Sequence, residues 1–121
     1  MIRSGAEIRA EVLKAARGAG LPFGVAEDLA HVAETLGGAE IEKLSAMIAD
    51  PRSHGKLLDF CLARDLDGDS DVFSTEAPVM GAREVPDDAW LSLNRLASRT
   101  YVPESEQSRQ SGAGAGNIDN D

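Results

Sequence analysis

Apolar residues recur at helical spacing through the first half of the chain, where polar positions and helix-ending glycines separate them. Ser4 followed by Glu7 is typical of a capping box, in which each side chain accepts a free backbone N–H of the other residue. Ile8 and Val12 begin an apolar stripe with the three-to-four spacing of a helix, and Gly18 and Gly20 end it, because glycine accepts the left-handed conformation of a helix end. The pattern therefore predicts a first helix that begins just after Ser4.

The same spacing predicts four further helices. One covers residues 22–36, because Pro22 has no N–H to satisfy and fits a first helical turn. Two others cover residues 39–49 and 56–64, and the last begins after Pro86.

Residues 72–85 have no helical period, and we expect either irregular chain there or a short β-hairpin that joins residues 72–73 to 79–80. The predicted fold class is mainly α, a small helical domain of about five helices with this β or irregular segment. Residues 1–110 form the predicted compact domain. Residues 111–121 form an acidic tail rich in glycine and alanine.

Charge and cysteine content narrow the classes of function. The 121 residues include 12 Lys and Arg against 21 Asp and Glu, a net charge of −9, which disfavours nucleic acids and anionic membranes as partners. Cys61 is the single cysteine, so the chain has neither an internal disulfide nor a cysteine cage for zinc. Because no apolar run resembles a membrane span or a signal peptide, we expect a cytoplasmic protein.

An acidic segment has the spacing of a calcium-binding loop. Asp65, Asp67 and Asp69 would occupy positions one, three and five, and Glu76 the final position, where a bidentate carboxylate belongs. Ser70 stands where that loop needs glycine for a sharp turn. The alternative interpretation is a solvated turn whose carboxylates repel one another.

A glycine-rich turn is predicted between the first two helices, at Arg17, Gly18, Gly20 and Gly24. The plainer interpretation is a tight connection that needs glycine for its geometry. The functional alternative is a site for a small anion or for a carboxylate of a partner. In that site Arg17 and the free N–H groups at the start of the second helix would bind the negative charge.

His31 shares one face of the second helix with Glu27 and Glu34. This spacing suits either two metal ligands or an acid–base pair, and it equally suits a charged surface helix without chemistry. Cys61 lies among apolar residues and is interpreted as a core residue. No catalytic residue is assigned.

The tail is a candidate binding arm. Alternating glycines permit close backbone approach, an isoleucine offers an apolar anchor and aspartates offer hydrogen-bond acceptors. The candidate contact residues are Gly112, Gly114, Gly116, Ile118, Asp119 and Asp121. The alternative is a disordered terminus.

Three segments of the chain resemble a bacterial family of unknown function that occurs mainly in proteobacteria. They are residues 14–30 (KAARGAGLPFGVAEDLA), 99–109 (RTYVPESEQSR) and 112–121 (GAGAGNIDND). The resemblance implies a cytoplasmic bacterial protein in which the first turn and the tail form a working surface. It implies no catalytic residues.

Taken together, these patterns predict a non-catalytic accessory or interaction subunit of a bacterial cytoplasmic complex. We expect its partner to be another protein or a second copy of the chain, with contacts through the tail and the turn at Arg17. One alternative is a calcium-binding module at the acidic segment, with calcium as the only expected cofactor. A second is a small enzyme of unknown reaction that uses His31 with Glu27.

Overall fold

The computed structural model describes residues 1–67, 73 and 78–100, and for residues 65–67 it describes the helical backbone alone. Within these residues the chain is mainly α-helical, which confirms the predicted fold class. A single turn of 3₁₀-helix, Pro51–Ser53, precedes the fourth helix. In chain order the other elements are β1 (Ile2–Arg3), α1 (Gly5–Gly18), α2 (Phe23–Ala33), α3 (Gly38–Ala49), α4 (His54–Asp67), β2 (Arg83–Glu84) and α5 (Asp87–Ala97).

The first turn of α1 has the predicted capping box. Ser4 Oγ accepts the N–H of Glu7 at 3.1 Å, and Glu7 Oε1 accepts the N–H of Ser4 at 2.9 Å. The Arg3 guanidinium donates to the other carboxylate oxygen of Glu7 at 3.3 Å. The Ser4 N–H is the main cause that lowers the pKa of Glu7 below its ordinary 4.5, and the Ser4 hydroxyl and Arg3 lower it further.

Replacing Glu7 with glutamine should destabilise the protein at neutral pH and matter little in acid. Because the pKa of Glu7 is lower in the folded state, its carboxylate stabilises the fold above pH 4.5, and this stabilisation is lost as the pH falls through the folded pKa. The measurement is the free energy of unfolding against pH for both proteins. Ser4→Ala keeps the carboxylate and the backbone N–H at position 4, so it should keep most of this pH dependence. A Glu7→Gln curve parallel to that of the wild type into acid would contradict the assignment.

The core lies between α1 and the helices that pack on it. α1 contacts both α2 and α5, and α3 contacts α5. The buried side chains are mostly aliphatic, and the capped helix contributes Ile8 and Val12, which are fully buried. Trp90 is buried on α5 with the Arg3 guanidinium 4.7 Å from its ring. Aliphatic packing of this kind fits a chain with few aromatic residues.

The β structure differs from the predicted hairpin. β1 and β2 form an antiparallel pair in which Ile2 lies opposite Glu84 and Arg3 opposite Arg83. β2 lies within the segment expected to contain a hairpin, but its partner is the strand before α1. Val72, in the other predicted strand, lies outside the described residues. Phe73, Val79 and Met80 are not in a strand, and the N–H of Val79 donates to the carbonyl of Thr35 at 2.9 Å.

Arg83 is buried although it carries a positive charge. One terminal nitrogen, Nη1, donates to the carbonyls of Glu34 at 2.7 Å and Leu36 at 2.9 Å, just beyond the end of α2. Nε and Nη2 both donate to the carbonyl of Gly81. Because the carbonyl end of a helix carries partial negative charge, this position suits a cation. Arg83 thus fastens β2 to the end of α2.

Several helix ends differ from the sequence prediction by a few residues. α2 ends at Ala33, before the predicted glycine pair, and the buried Leu36 follows in a turn. α4 is longer than predicted at both ends. Helix ends depend on capping and local contacts more than on apolar spacing, and they are the least predictable part of a helix. No helix in the part of the chain that the structure describes is long and apolar enough to span a membrane.

Candidate functional site

The turn after α1 has the hydrogen bonds of a Schellman motif. The N–H of Gly20 donates to the carbonyl of Arg17 at 3.0 Å, and the N–H of Leu21 donates to the carbonyl of Ala16 at 3.0 Å. Gly20 has a φ of +96°, a conformation that residues with a side chain rarely adopt. Gly20 is therefore explained by the geometry of the turn.

Gly18 and Gly24 have different surroundings. A Cβ at Gly18 would overlap the carbonyl oxygen of Leu96 on α5, so the helices approach too closely for any larger residue. A Cβ at Gly24, in the first turn of α2, would meet no atom within 4 Å. Of the three glycines predicted to bind a ligand at this turn, Gly18 and Gly20 thus have structural roles, and Gly24 leaves open space at the surface.

Arg17 is exposed, and its guanidinium lies 5.1 Å from the ring centroid of Phe23. α2 begins at Phe23 without a side-chain cap. Glu27 and Asp28 follow within the next turn and a half of α2. Two negative charges this close along the chain reduce the attraction of this helix start for an anion, and the anion site at Arg17 stays a prediction.

A groove of about 490 Å³ separates the start of α2 from α4. We call it the α2–α4 groove. Within it, the Sγ of Cys61 lies 4.0 Å from the carbonyl oxygen of Val25. Its lining residues are Pro22, Gly24, Val25, Glu27 and Asp28 from α2 and the turn before it, and Leu58, Cys61 and Leu62 from α4. The lining thus combines apolar residues of both helices with two acidic residues of α2; we call Val25, Leu58 and Leu62 its apolar floor, and Glu27 and Asp28 its acidic side.

The apolar floor exists because α4 carries more apolar residues than one buried stripe uses. Leu57, Phe60 and Cys61 lie on the buried face, at the spacing of three and four that one stripe requires. Leu58 and Leu62 lie one turn apart on the neighbouring face and are 41% and 59% exposed. The apolar run from residue 57 to residue 62 contains these extra leucines, but the run alone predicts no binding site.

A second groove, of about 380 Å³, lies between α1 and α2 and contains His31. Arg9 and Glu34 face each other across it, with Nη1 and Oε1 3.8 Å apart. Glu27 lines this groove as well as the α2–α4 groove, so the two surfaces adjoin. Within the described part of the chain, the structure has no hydrogen bond between His31 and Glu27. The structure thus brings the candidate acid–base pair to one groove without a bond between them.

Comparison with known proteins assigns no family to the chain. No family model, curated protein or solved structure matches it. What the protein binds must therefore be inferred from its own surface.

Neither metal hypothesis gains a ligand set from the described residues. No three His, Cys, Asp or Glu side chains among them are arranged to hold a metal ion. α4 continues through Asp65 and Asp67, so the backbone at the first two proposed calcium ligands is helical. Asp69 and Glu76 lie outside the described residues, and calcium binding stays a prediction.

Cys61, the tail and the second histidine of the chain, His54 at the start of α4, complete the set of residues with possible chemistry. Cys61 is buried, as predicted. His54 Nε2 lies 2.8 Å from the carbonyl oxygen of Ile48, so a hydrogen bond joins this histidine to the last turn of α3. The tail residues, from Gly112 to Asp121, lie outside the described residues, and the binding arm also stays a prediction.

Proposed function

We propose that this protein is a non-catalytic accessory or interaction subunit of a bacterial cytoplasmic complex, and that it binds its partner through the α2–α4 groove. The turn at Arg17 adjoins this groove through Pro22 and Phe23. The tail, residues 112–121, is proposed as a second contact. The resemblance of residues 14–30 and of the tail to a bacterial family supports the same two regions.

One observation carries the proposal: Leu58 and Leu62 are exposed side by side in a concave surface. A single exposed leucine is ordinary in a soluble protein and needs no explanation. Here, however, three of the six large exposed hydrophobic residues of the described chain, Leu58, Leu62 and Phe23, lie in or beside one groove. Grouped apolar exposure of this kind is typical of protein-binding surfaces. Because each leucine is already about half buried, covering its exposed part with a partner would contribute about 1 kcal/mol, half of what burial of a fully exposed leucine contributes.

Replacing both Leu58 and Leu62 with serine should abolish partner binding and leave the fold intact. Neither side chain belongs to the buried core, and both are about half exposed, so their loss removes little core packing. The measurement is capture of partners from the native host by the tagged full chain, with mass spectrometry to identify a protein retained at a fixed stoichiometry. We expect the wild type to retain one such partner and the double variant to lose it.

Leu91→Ser is the matched control, because Leu91 is 48% exposed on α5 and does not line the groove. It should retain the partner, and melting curves of all variants should match that of the wild type. Deletion of residues 112–121 tests the tail in the same assay and should weaken retention. If the wild type retains no partner, or if the double variant retains the same partner equally well, the proposal is wrong.

A further inference from the structure

We propose that the α2–α4 groove binds an amphipathic helical segment of the partner whose apolar face is flanked by lysine or arginine. This inference rests on the proposed function and specifies the chemistry of the partner at that surface. The apolar floor, the acidic side and the charge of the whole chain each support it.

The apolar floor suits the side chains of a helix. Leu58 and Leu62 are four residues apart, which places them about 6 Å apart along α4 at a rise of 1.5 Å per residue. Val25 lies across the groove on α2. A helix that docks in a groove inserts apolar side chains one turn apart, at the same spacing of about 6 Å. The floor therefore fits two successive anchors from one face of the partner helix.

The acidic side determines which residues flank those anchors. Glu27 and Asp28 both line the groove, and neither forms an ion pair with another residue in the ranges that the structure describes. A partner that placed neutral or acidic groups there would leave these carboxylates desolvated without a compensating charge. Lysine or arginine beside the anchors would compensate them, and exposed pairs of this kind also steer and select the partner.

The charge of the chain argues against a second copy as the occupant. Each chain carries a net charge of −9, so two chains repel each other at long range. The same charge favours a basic partner at long range and repels nucleic acids. Of the occupants that fit an apolar groove, a basic amphipathic helix is the one that the electrostatics favour.

The test uses two synthetic helical peptides of about 15 residues, a length at which isolated helices become stable. Both have leucines on one face and alanine elsewhere; one has lysines beside the leucines and the other has glutamates at those positions. Binding to the full chain is measured by fluorescence anisotropy at low and moderate salt. We expect the lysine peptide to bind, with an affinity that falls as salt rises, and the glutamate peptide not to bind.

Variants locate the binding in the groove. Leu58→Ser with Leu62→Ser should weaken binding of the lysine peptide by about tenfold or more, the equivalent of 1.4 kcal/mol. Glu27→Gln with Asp28→Asn should weaken it by about threefold to tenfold, as expected for two exposed pairs. Glu11→Gln with Asp88→Asn changes the net charge equally but lies outside the groove, and its affinity should stay within about twofold of the wild type.

Four results would overturn the inference. The first is equal binding of the glutamate peptide, and the second is an equal loss of affinity in the Glu11 and Asp88 control. The third is a dimer in sedimentation equilibrium that the leucine variant abolishes, because the occupant is then a second copy. The fourth is that neither peptide binds. If the leucine variant nevertheless fails to retain the native partner, the proposed function stands and only the stated chemistry of the partner is wrong.

Discussion

Replacing Gly18 with alanine should destabilise the folded protein by about 3 kcal/mol or more, the upper range for forcing extra atoms into a packed interior. An added Cβ would overlap the carbonyl oxygen of Leu96 and lie 2.8 Å from its carbonyl carbon. Both of these atoms belong to the backbone of α5, so no side chain can rotate away to make room. The two helices would have to separate, which opens the packing between α1 and α5.

Two other glycines provide controls for this substitution. Gly24 and Gly55 lie in the first turns of α2 and α4, and a Cβ at either would meet no atom within 4 Å. Alanine favours a helix over glycine, so these variants should be as stable as the wild type or up to about 1 kcal/mol more stable. The free energy of unfolding of all three alanine variants is measured by denaturant titration. A Gly18→Ala variant as stable as the controls would show that α1 and α5 do not approach as described.

Replacing Arg83 with methionine should lower the free energy of unfolding by about 3 kcal/mol or more. The guanidinium is buried and donates to the carbonyls of Glu34, Leu36 and Gly81. Methionine keeps much of the apolar length of the side chain but leaves these carbonyls without their donor, and each unsatisfied buried group costs about 1–3 kcal/mol. The end of α2 would then lose its link to β2.

The matched control is Arg95→Met, because Arg95 is exposed on α5 and its loss should change the free energy of unfolding by less than about 0.5 kcal/mol. Arg83→Lys adds a second comparison. A lysine keeps the charge but lacks the planar fork that reaches three carbonyls, so this variant should also be clearly destabilised. Equal stability of the Arg83→Met and Arg95→Met proteins would contradict the assigned role of Arg83.

The helices could be predicted because their determinants are local. The Ser4 and Glu7 capping box and the prolines before α2 and α5 act through neighbouring residues, and each marks a helix start that the structure contains. The sheet could not be predicted in this way. Strands of two residues have no periodicity, and β1 pairs with a strand from the opposite end of the described chain.

Features that depend on contacts between distant elements were harder to predict than the helices, because no local pattern marks them. Gly20 could be predicted as a helix end, since a left-handed residue after a helix is a local requirement. The role of Gly18 depends on Leu96, and that of Arg83 depends on carbonyls at the end of α2, so neither has a pattern in the nearby sequence. The exposure of Leu58 and Leu62 follows from which face of α4 packs against α2 and α3, a tertiary property that the apolar run alone does not reveal.

Site-specific photo-cross-linking in the native host tests the central claim most directly. A photoreactive residue would be placed at position 62 in the α2–α4 groove, and in a separate variant at position 91 on α5. Both positions are exposed, so either can report a partner within reach. We expect position 62 to cross-link to one defined protein and position 91 not to cross-link to it. Cross-linking of the same protein equally from both positions, or from neither, would contradict the groove as the binding surface.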